Sequence, residues 1–524
     1  MTAVQQETGA LGATALDVVL ERDLPAALPV GRATAVFLFG TCFHRHRRVA
    51  DLEITVNGAR HFSTAQRMLR LDRFRALHST LVPREGRAVE SDPQSARDPE
   101  LRCYRSGFWA TIPIGPLDAP GELELRLEAR LADGTTASAI VGTIPVVEPP
   151  AAPSHKSLST TGARPLIAIC MATYNPDLEL FRTQVESIRA QTDRDWVCFV
   201  SDDCSAAESF DAITAIIGDD ERFVLSRSER RLNFYRNFER ALGMVPPEVE
   251  LIALSDHDDR WYPDKLEVLR KAIGSAELAY SDVRRVDADG NVRAETLWEG
   301  RSNNCTNLAS LLVSNTIVGA SCLFRRKVLE RALPFPTGPS WNFHDHWLAL
   351  VALASGDLVY VHRALYDYVQ HPKAVLGHTA SGLPRDAPSG LRASLARWRG
   401  FFGRWRSTYF NLYLHRELLA QDLLLRCSAD LTSRKRRALR LMIAAGRSPL
   451  AFAWIAVRPA RALLGHRETL LLEASFAKGI LWRYLIVLCT LGRERPGRIQ
   501  ADASFPGFAP QHLGRMQKRW LARR

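Results

Sequence analysis

Three apolar runs in the middle of the chain each end in a cluster of polar residues. The runs cover residues 165–171, 196–200 and 249–254, and apolar residues at helical spacing follow the first two. Strands that alternate with helices predict a parallel sheet with right-handed crossovers. Since ligands bind such sheets outside the carboxyl ends of the strands, we expect the three polar clusters to share one site.

Alternation of apolar and polar positions, the period of a strand, precedes these runs. Residues 52–58 and 123–129 alternate, and Asn57-Gly58 and Asp133-Gly134 are strong turn signals, so this part predicts a small all-β sandwich or barrel. A Pro- and Ser-rich linker follows, and helical spacing among many arginines marks the last part. The expected parts are an all-β domain (30–148), a linker (149–164), an α/β domain (165–384) and a helical basic region (385–524).

The composition fits a large folded chain with an uneven distribution of charge. The 524 residues are 46% hydrophobic, enough for several cores, and the formal net charge is +12. Residues 385–524 hold 27 Lys and Arg but 8 Asp and Glu, so this region supplies the positive excess. Aromatic residues among the arginines, from Trp398 to Tyr413, favour attachment to an anionic membrane surface. An ordinary helical bundle with a basic outer face is the alternative, and no motif indicates nucleic-acid binding.

Cysteine usage and the first residues bear on location. The nine cysteines, an odd number without metal-binding spacing, argue against a disulfide framework and favour a reducing compartment. Residues 1–14 lack the basic start and continuous apolar core of a signal peptide, and the most apolar runs fall short of the roughly 20 residues that span a bilayer. We therefore expect a cytoplasmic protein, peripheral at the inner face of the cell membrane. The sequence gives no indication of oligomeric state.

The third apolar run delivers an unusual group of side chains to its end. Residues 254–261 read LSDHDDRW, which places Asp256, Asp258 and Asp259 within four residues. Like charges at this spacing repel unless a cation or a substrate compensates them, and hard divalent cations prefer such oxygen ligands. An acidic surface turn is the alternative interpretation, because short acidic motifs are common.

Further motifs accompany the acidic group between residues 165 and 380. In chain order the set is Thr173-Tyr174-Asn175, Asp202-Asp203-x-Ser205, Arg231-x-Asn233 with Arg236-Asn237, residues 255–266, Gly319-Ala320-Ser321, residues 344–347 and Gln370-His371. This ordered series resembles glycosyltransferase family 2, whose members have the GT-A fold and use nucleotide sugars. The narrower resemblance is to its rhamnosyltransferase-like and galactofuranosyltransferase-like branch. An ordered set is far more specific than any one motif.

The resemblance implies a divalent cation on the donor diphosphate. In the family the first acid of the Asp-x-Asp motif lies near the donor sugar and the last binds Mg²⁺ or Mn²⁺, which here implies Asp256 and Asp258, both kept as candidate ligands. His371 matches the histidine that completes the metal shell in the galactofuranosyltransferase-like branch. The cation would stabilise the departing diphosphate.

The resemblance also implies a pyrimidine nucleotide. Asp202 and Asp203 match the pair in which one carboxylate accepts a hydrogen bond from the imide of the base, which suits uracil or thymine and therefore a UDP- or dTDP-sugar. Tyr174 would stack on the base. For the Thr173-Tyr174-Asn175 motif, a plain turn before a helix is the alternative interpretation. The other residues implied on the nucleotide-sugar side are Thr173, Asn175, Arg231, Asn237 and Asp256.

Asp345 occupies the family's position for the catalytic base, the carboxylate that takes the proton of the acceptor hydroxyl in an inverting transfer. A helix N-cap is its alternative role and does not exclude catalysis. The expected acceptor residues are Trp261, Gly319, Ala320, His346 and Trp347. For the aromatic rings among them the alternative is core packing, and for residue 319 it is a plain tight turn.

The function expected from the resemblance is that of an inverting, metal-dependent glycosyltransferase acting on a cell-envelope glycan or a lipid-linked acceptor. A catalytically inactive glycan-binding or scaffold protein is one alternative, but it would be expected to lose a metal ligand or the base, and Asp258, His371 and Asp345 are all present. A sugar nucleotidyltransferase is another. Such enzymes usually carry a Gly-rich, Arg-containing phosphate loop where residues 172–176 here read ATYNP.

Overall fold

The structure is a computed structural model, and it describes eight stretches of the chain. They form a β-sandwich, an α/β unit and a set of C-terminal helices, which confirms the expected fold class. Most of the predicted linker, and Trp398 in the predicted membrane segment, lie outside the described residues. The described residues are 16–78, 97–149, 166–298, 302–338, 343–371, 405–466, 468–469 and 472–490.

Two sheets pack face to face in the N-terminal part. The strands are β1 (Leu16–Leu20), β2 (Leu28–Pro29), β3 (Thr34–His44), β4 (Val49–Val56), β5 (Ala59–Phe62), β6 (Ala65–Met68), β7 (Gly107–Ile114), β8 (Gly121–Leu131) and β9 (Thr136–Val147), with helix α1 (Leu71–Leu77) and a 3₁₀ turn (Arg102–Arg105). One sheet has the order β1-β3-β7-β6 and the other β2-β9-β8-β4-β5. Strand β1 precedes the expected start of this domain at residue 30. The predicted turn between β4 and β5 has φ values of 45° at Asn57 and 83° at Gly58, the left-handed pair that a tight hairpin requires.

Strand β3 explains how the sandwich joins the rest of the molecule. Its residues alternate between two cores: Val36 and Leu38 face the interior of the sandwich, whereas Phe37 and Phe39 face the core shared with the α/β unit and the C-terminal helices. A strand covered on both faces reads as a continuous apolar run, as TAVFLF does here. The N-terminal domain is therefore packed on its outer face as well as inside.

The α/β unit contains one nine-stranded sheet with helices on both faces. The strands are β10 (Ile167–Thr173), β11 (Trp196–Asp202), β12 (Phe223–Arg227), β13 (Leu251–Ser255), β14 (Arg260–Trp261), β15 (Leu278–Asp287), β16 (Val292–Ala294), β17 (Cys322–Arg325) and β18 (Leu358–Gln370). Their order in the sheet is β12-β11-β10-β13-β17-β15-β18-β14, and β16 pairs with β15. The helices are α2 (Leu178–Arg189), α3 (Ala207–Ile217), α4 (Phe234–Gly243), α5 (Lys265–Ile273), α6 (Leu308–Val313), α7 (Arg326–Ala332) and α8 (His344–Ser355), with a 3₁₀ turn at Gly319–Ser321.

The parallel strands of this sheet bring the polar clusters together, as the apolar runs predict. Strand β10 pairs in parallel with both β11 and β13, with Thr173 opposite Asp202 and Met171 opposite Ser255. All three strands end at the same edge. Because each strand is buried on both faces, only the residues at and after these ends are free to meet a ligand.

The C-terminal part is helical and packs inward. Its helices are α9 (Leu414–Arg426), α10 (Ser433–Ala444), α11 (Pro449–Val457) and α12 (Leu472–Thr490), with a π-helical turn at Tyr409–Tyr413 and a 3₁₀ segment at Arg458–Leu464. Tyr409 and Tyr413, from the predicted membrane-facing segment, are fully buried. The indole N–H of Trp109 donates to the Tyr409 hydroxyl at 3.2 Å, so these rings join the helices to the β-sandwich.

None of the described helices alone is long and apolar enough to cross a bilayer. One pair passes by length and composition together, namely Ser433–Ala444 with Pro449–Leu464, and that pair is bent by 110°.

Arg426 of α9 links all three parts of the molecule. Its guanidinium donates to the carbonyls of Ala332 at 3.0 Å and Pro334 at 2.6 Å, and to the Thr34 hydroxyl of β3 at 3.2 Å. It also pairs with buried Asp422 at 3.4 Å, and its own side chain is only 5% exposed. Carbonyls at the end of α7 and a buried carboxylate therefore depend on one cation.

Replacement of Arg426 by Ala should destabilise the whole chain, because it leaves Asp422 as an uncompensated buried charge. The expected loss in free energy of unfolding is about 3–5 kcal/mol, measured by urea denaturation followed by circular dichroism. Arg437→Ala, an exposed arginine of α10, is the matched control and should cost no more than about 0.5 kcal/mol. Equal stability of the two variants would show that Arg426 does not hold the parts together.

Candidate active site

The acidic group lies directly after β13, at the edge where the parallel strands end. Asp256 and Asp258 keep some exposure, whereas Asp259 is buried. The Nε2 atom of His371, one residue beyond the end of β18, lies 2.7 Å from Oδ2 of Asp258. Strand β14, which directly follows the acidic group, pairs with β18, and this pairing brings together two predicted ligands that are 113 positions apart.

The three carboxylates influence one another. Burial, followed by the charges of Asp258 and Asp345, raises the pKa of Asp256 to about 7. Burial and the charges of Asp256 and Asp258 raise the pKa of Asp259 well above its usual range. Burial also disfavours ionised Asp258, but His257 and the hydrogen bond from His371 outweigh it and lower its pKa. Asp258 is therefore the carboxylate that this environment keeps ionised.

The donor set fits a divalent cation. Asp258 offers carboxylate oxygen, His371 offers imidazole nitrogen, and Oδ2 of Asp259 is buried with no hydrogen-bond partner among the described residues. Asp258 and His371 are in direct contact, and the charge of Asp258 acts on the other two carboxylates, Asp256 and Asp259. Within the described part of the chain, three potential ligand atoms lie within 4.8 Å of one another only at His78, Asp98 and Cys103 of the β-sandwich.

Asp345 lies in the first turn of α8, near the acidic group. The N-cap is Phe343, so Asp345 does not have the capping role that was its alternative interpretation. Its Oδ1 accepts from the His346 N–H at 2.6 Å. Burial raises the pKa of Asp345 to about 6, although hydrogen bonds from the N–H groups of His346 and Gly319 and from Asn315 oppose the rise. A carboxylate with this pKa is ionised at neutral pH and is a better proton acceptor than an ordinary aspartate.

The 3₁₀ turn Gly319–Ser321 packs against His344 and Asp345. A Cβ at Gly319 would lie 3.0 Å from Nε2 of His344 and 3.2 Å from Cβ of Asp345, closer than side chains normally pack. The turn is also held from behind, because the ammonium group of buried Lys265 donates to the Ala320 carbonyl. A residue larger than glycine at position 319 would push against the side chains of His344 and Asp345.

The predicted nucleotide residues divide into two groups. Tyr174 and Arg231 form one, with the guanidinium of Arg231 4.0 Å from the centre of the Tyr174 ring. Thr173 lies beside them at the end of β10, with its hydroxyl buried and unpaired within the described residues. Asn175 has a φ of 39° and accepts from the Ala206 N–H at 2.9 Å, which fixes the turn after β10. These residues present an aromatic face and a cation at the strand ends.

Asp202, Asp203 and Asn237 form the second group, which mainly bonds to the protein itself. Asp202 accepts from the Ser205 N–H at 2.9 Å, and Asp203 accepts from the Asn233 N–H at 2.8 Å. The side-chain amide of Asn237 donates to the Ser201 carbonyl at 2.8 Å. Each carboxylate oxygen has a second lone pair, so these bonds orient the carboxylates without exhausting them as acceptors.

Three of the predicted acceptor residues lie in the interior. Trp261 is 2% exposed and Trp347 1% exposed, and the Trp347 indole N–H donates to the Ala332 carbonyl at 3.0 Å. The Nε2 atom of His346 lies 2.7 Å from the Leu311 carbonyl. These side chains support the turn and helix around Asp345 from inside. Gly319 and Ala320 of the predicted acceptor set, which are also buried, form the turn beside Asp345.

Lys265 and Tyr368 are site residues to which sequence reasoning gave no role, and His344, expected only to offer the acceptor a polar contact, lies with them. Lys265 Nζ lies 3.5 Å from the centre of the Trp261 ring, and burial lowers its pKa although Asp259 opposes this. The His344 ring stacks on Phe238 at 3.7 Å, and burial lowers its pKa to about 3. Burial and the charges of the carboxylates, Asp256 foremost, raise the pKa of Tyr368. A lysine at the start of α5, immediately before its apolar stripe, was the one available signal.

Comparison with known proteins agrees with the expected class. Residues 168–333 match the family model "Glycosyl transferase family 2", which is less than half of the chain. An uncharacterized glycosyltransferase of Methanocaldococcus jannaschii, MJ1057, is 28% identical over 136 residues, which are 25% of this chain and 46% of that protein. The uncharacterized protein y4gI of Sinorhizobium fredii is 29% identical over 135 residues, 25% of this chain and 14% of that protein. The chain thus spans less than half the length of these curated relatives.

Solved glycosyltransferase structures show a distant likeness. S. aureus TarS in complex with UDP has 15% identity and a TM-score of 0.37, and the alignment covers 61% of this chain and 90% of that one. The mannosyltransferase PcManGT of Pyrobaculum calidifontis, in complex with GDP-Man and Mn²⁺, has 17% identity and a TM-score of 0.32, with 63% and 88% covered. Residues 168–333 therefore carry the similarity to glycosyltransferase family 2, and the sheet in which they lie has the α/β architecture of the GT-A fold.

Proposed function

We propose that the chain is an inverting, metal-dependent glycosyltransferase. It moves a hexosyl or deoxyhexosyl group from a UDP- or dTDP-sugar to a hydroxyl of a cell-envelope glycan or lipid-linked acceptor. The observation that carries the proposal is the pairing of two carboxylate centres. Asp345, whose pKa burial raises to about 6, lies close enough to the acidic group for its charge to raise the pKa of Asp256. A base and a donor-side acid thus face one site.

The proton transfer follows from the position of Asp345. The acceptor hydroxyl gives its proton to the Asp345 carboxylate as its oxygen bonds to the anomeric carbon. The bond from that carbon to the diphosphate oxygen breaks, and the electron pair leaves on the diphosphate. The Gly319 turn holds the base in position, because its backbone packs against His344 and Asp345 without room for a Cβ.

Asp258 and His371 would hold the divalent cation, with Asp256 and Asp259 completing the acidic surroundings. When bound, the cation supplies positive charge that stabilises the departing diphosphate. The chain's own residues do the rest on the donor side. Tyr174 offers a stacking face with Arg231 on its other side. The Asp202 and Asp203 carboxylates, which the N–H groups of Ser205 and Asn233 hold in place, would accept a hydrogen bond from the imide of the nucleotide's pyrimidine ring.

Asp345→Asn should remove the proton acceptor while it keeps the size of the side chain. We expect kcat to fall by about 10²–10⁴-fold, with the donor Kd unchanged, because the amide cannot accept the proton. Nucleotide release from a panel of UDP- and dTDP-sugars measures the rate, and calorimetric titration measures donor binding. Asp211→Asn, an exposed carboxylate of α3, is the matched control. A variant that retained the rate of the parent would remove Asp345 from the mechanism.

The rate should depend on pH in the way that the pKa of Asp345 dictates. The base is active only when ionised, so raising its pKa to about 6 means that activity falls as pH drops through this value. At saturating donor and Mn²⁺, we expect kcat to fall about tenfold per pH unit below about pH 6. An ordinary aspartate would keep the rate constant down to about pH 4. A flat profile through pH 6 would contradict the assignment.

A further inference from the structure

The C-terminal helices leave an apolar surface uncovered, which we name the apolar ridge. It comprises Leu450 and Val457 of α11 and Leu463 and Leu464 of the 3₁₀ segment that follows. These side chains are 83%, 65%, 88% and 79% exposed, respectively. Large exposed apolar side chains elsewhere in the described residues, such as Phe62, occur singly. A cluster of this kind marks an interaction surface, whereas isolated exposed residues need no explanation.

The sequence of α11 makes the ridge more unusual. Residues 449–457 read PLAFAWIAV, without one polar side chain. A helix that is apolar all round is normally buried on every side. Here only Ala451 and Ile455 are buried, and the helix keeps one face against the protein while the other faces outward. That outer face is therefore suited to contact with an apolar environment outside the described chain.

Charge identifies the partner. Residues 433–464 contain eight Lys and Arg and no Asp or Glu. Arg434, Arg437 and Arg440 of α10 are exposed and have no ion-pair partner among the described residues. Helix α10 packs on α11, and apolar side chains and unpaired arginines on adjoining helices match the interface of a bilayer, where the first enter the acyl boundary and the second meet anionic headgroups. A twofold contact with a second copy would bring two cationic helices together and is disfavoured by their repulsion.

We propose that the apolar ridge and the arginines of α10 dock the protein on an anionic lipid bilayer, without crossing it. This surface differs from the aromatic segment indicated by the sequence, since Tyr409 and Tyr413 are buried. Docking does not depend on the transfer chemistry, and vesicle binding measures it separately.

The ridge is tied to the active site by a short path. Arg458 and Arg461, in the 3₁₀ segment, donate to the Ser310 hydroxyl of α6 at 3.0 Å and 3.1 Å. The next residue, Leu311, has its carbonyl 2.7 Å from the ring of His346, which is adjacent to Asp345. Docking would therefore hold the base at a fixed distance from the bilayer. This last point rests on the proposed function, because it concerns where a lipid-linked acceptor meets the base.

Vesicle cosedimentation of the full chain tests the proposal. Vesicles of phosphatidylcholine alone are compared with vesicles of phosphatidylcholine and phosphatidylglycerol, and the wild type should bind only the anionic ones. The double variant Leu463→Ser/Leu464→Ser should bind at least about tenfold more weakly. The triple variant Arg434→Gln/Arg437→Gln/Arg440→Gln should bind about a hundredfold more weakly, since each arginine near an anionic surface contributes about fivefold. Phe62→Ser, which removes an equally exposed ring from the β-sandwich, should bind as the wild type does.

Two results would overturn the proposal. One is binding of the leucine double variant and the arginine triple variant at wild-type strength, or binding of the wild type equally to neutral vesicles. The other is a dimer in lipid-free sedimentation that Leu463→Ser/Leu464→Ser converts to a monomer, which would make the ridge an interface between copies. All the substituted side chains are exposed, so circular dichroism should show the wild-type fold. Nucleotide release with a water-soluble acceptor, measured in parallel, separates failure of docking from failure of the transferase.

Discussion

Repulsion among the carboxylates after β13 is the constraint on which the site depends. Asp256, Asp258 and Asp259 follow a strand that is buried on both faces, so the chain cannot spread them into solvent. Burial and mutual charge raise the pKa values of Asp256 and Asp259, and only Asp258, beside two histidines, is shifted the other way. A cation is the simplest way to ionise the group at neutral pH.

The remaining elements are arranged around this group. Strand β18 supplies His371, α8 supplies Asp345, and buried Lys265 joins the acidic side to the Gly319–Ser321 turn. Behind α8 the support is unusually broad, because the β-sandwich and the C-terminal helices share its core. Arg426 bonds to residues of all three parts. The N- and C-terminal parts therefore act as structural supports for α8, whatever further partners they have.

The sequence predicted the elements whose pattern is local. Apolar runs such as residues 196–200 marked the parallel strands, and the placement of the polar clusters at one edge followed from topology alone. Spacing could not show which polar side chains would be used internally. Asn237 bonds across two strand ends, and Trp347 turns into the core to meet the carbonyl of Ala332. Those outcomes depend on contacts with residues far away in the chain.

The C-terminal region shows the same limit in another form. Its charge and aromatic content pointed to a surface segment, yet the described aromatic residues there are largely packed inside. Composition reports which side chains are present, but burial is decided by the partner surface, here the outer sheet of the sandwich with Phe39 and Trp109. The apolar residues that remain exposed lie further along, on α11 and in the 3₁₀ segment after it, where the sequence showed only an apolar run too short to span a bilayer.

The measurement that tests the central claim most directly is a crystal structure with Mn²⁺ and UDP, with the metal located by its anomalous scattering. The account predicts one strong peak in contact with Asp258 and His371, with the nucleotide base beside Tyr174 and the Asp345 carboxylate facing the same site. A peak at another place, such as the His78, Asp98 and Cys103 group of the β-sandwich, with no metal at Asp258, would contradict it.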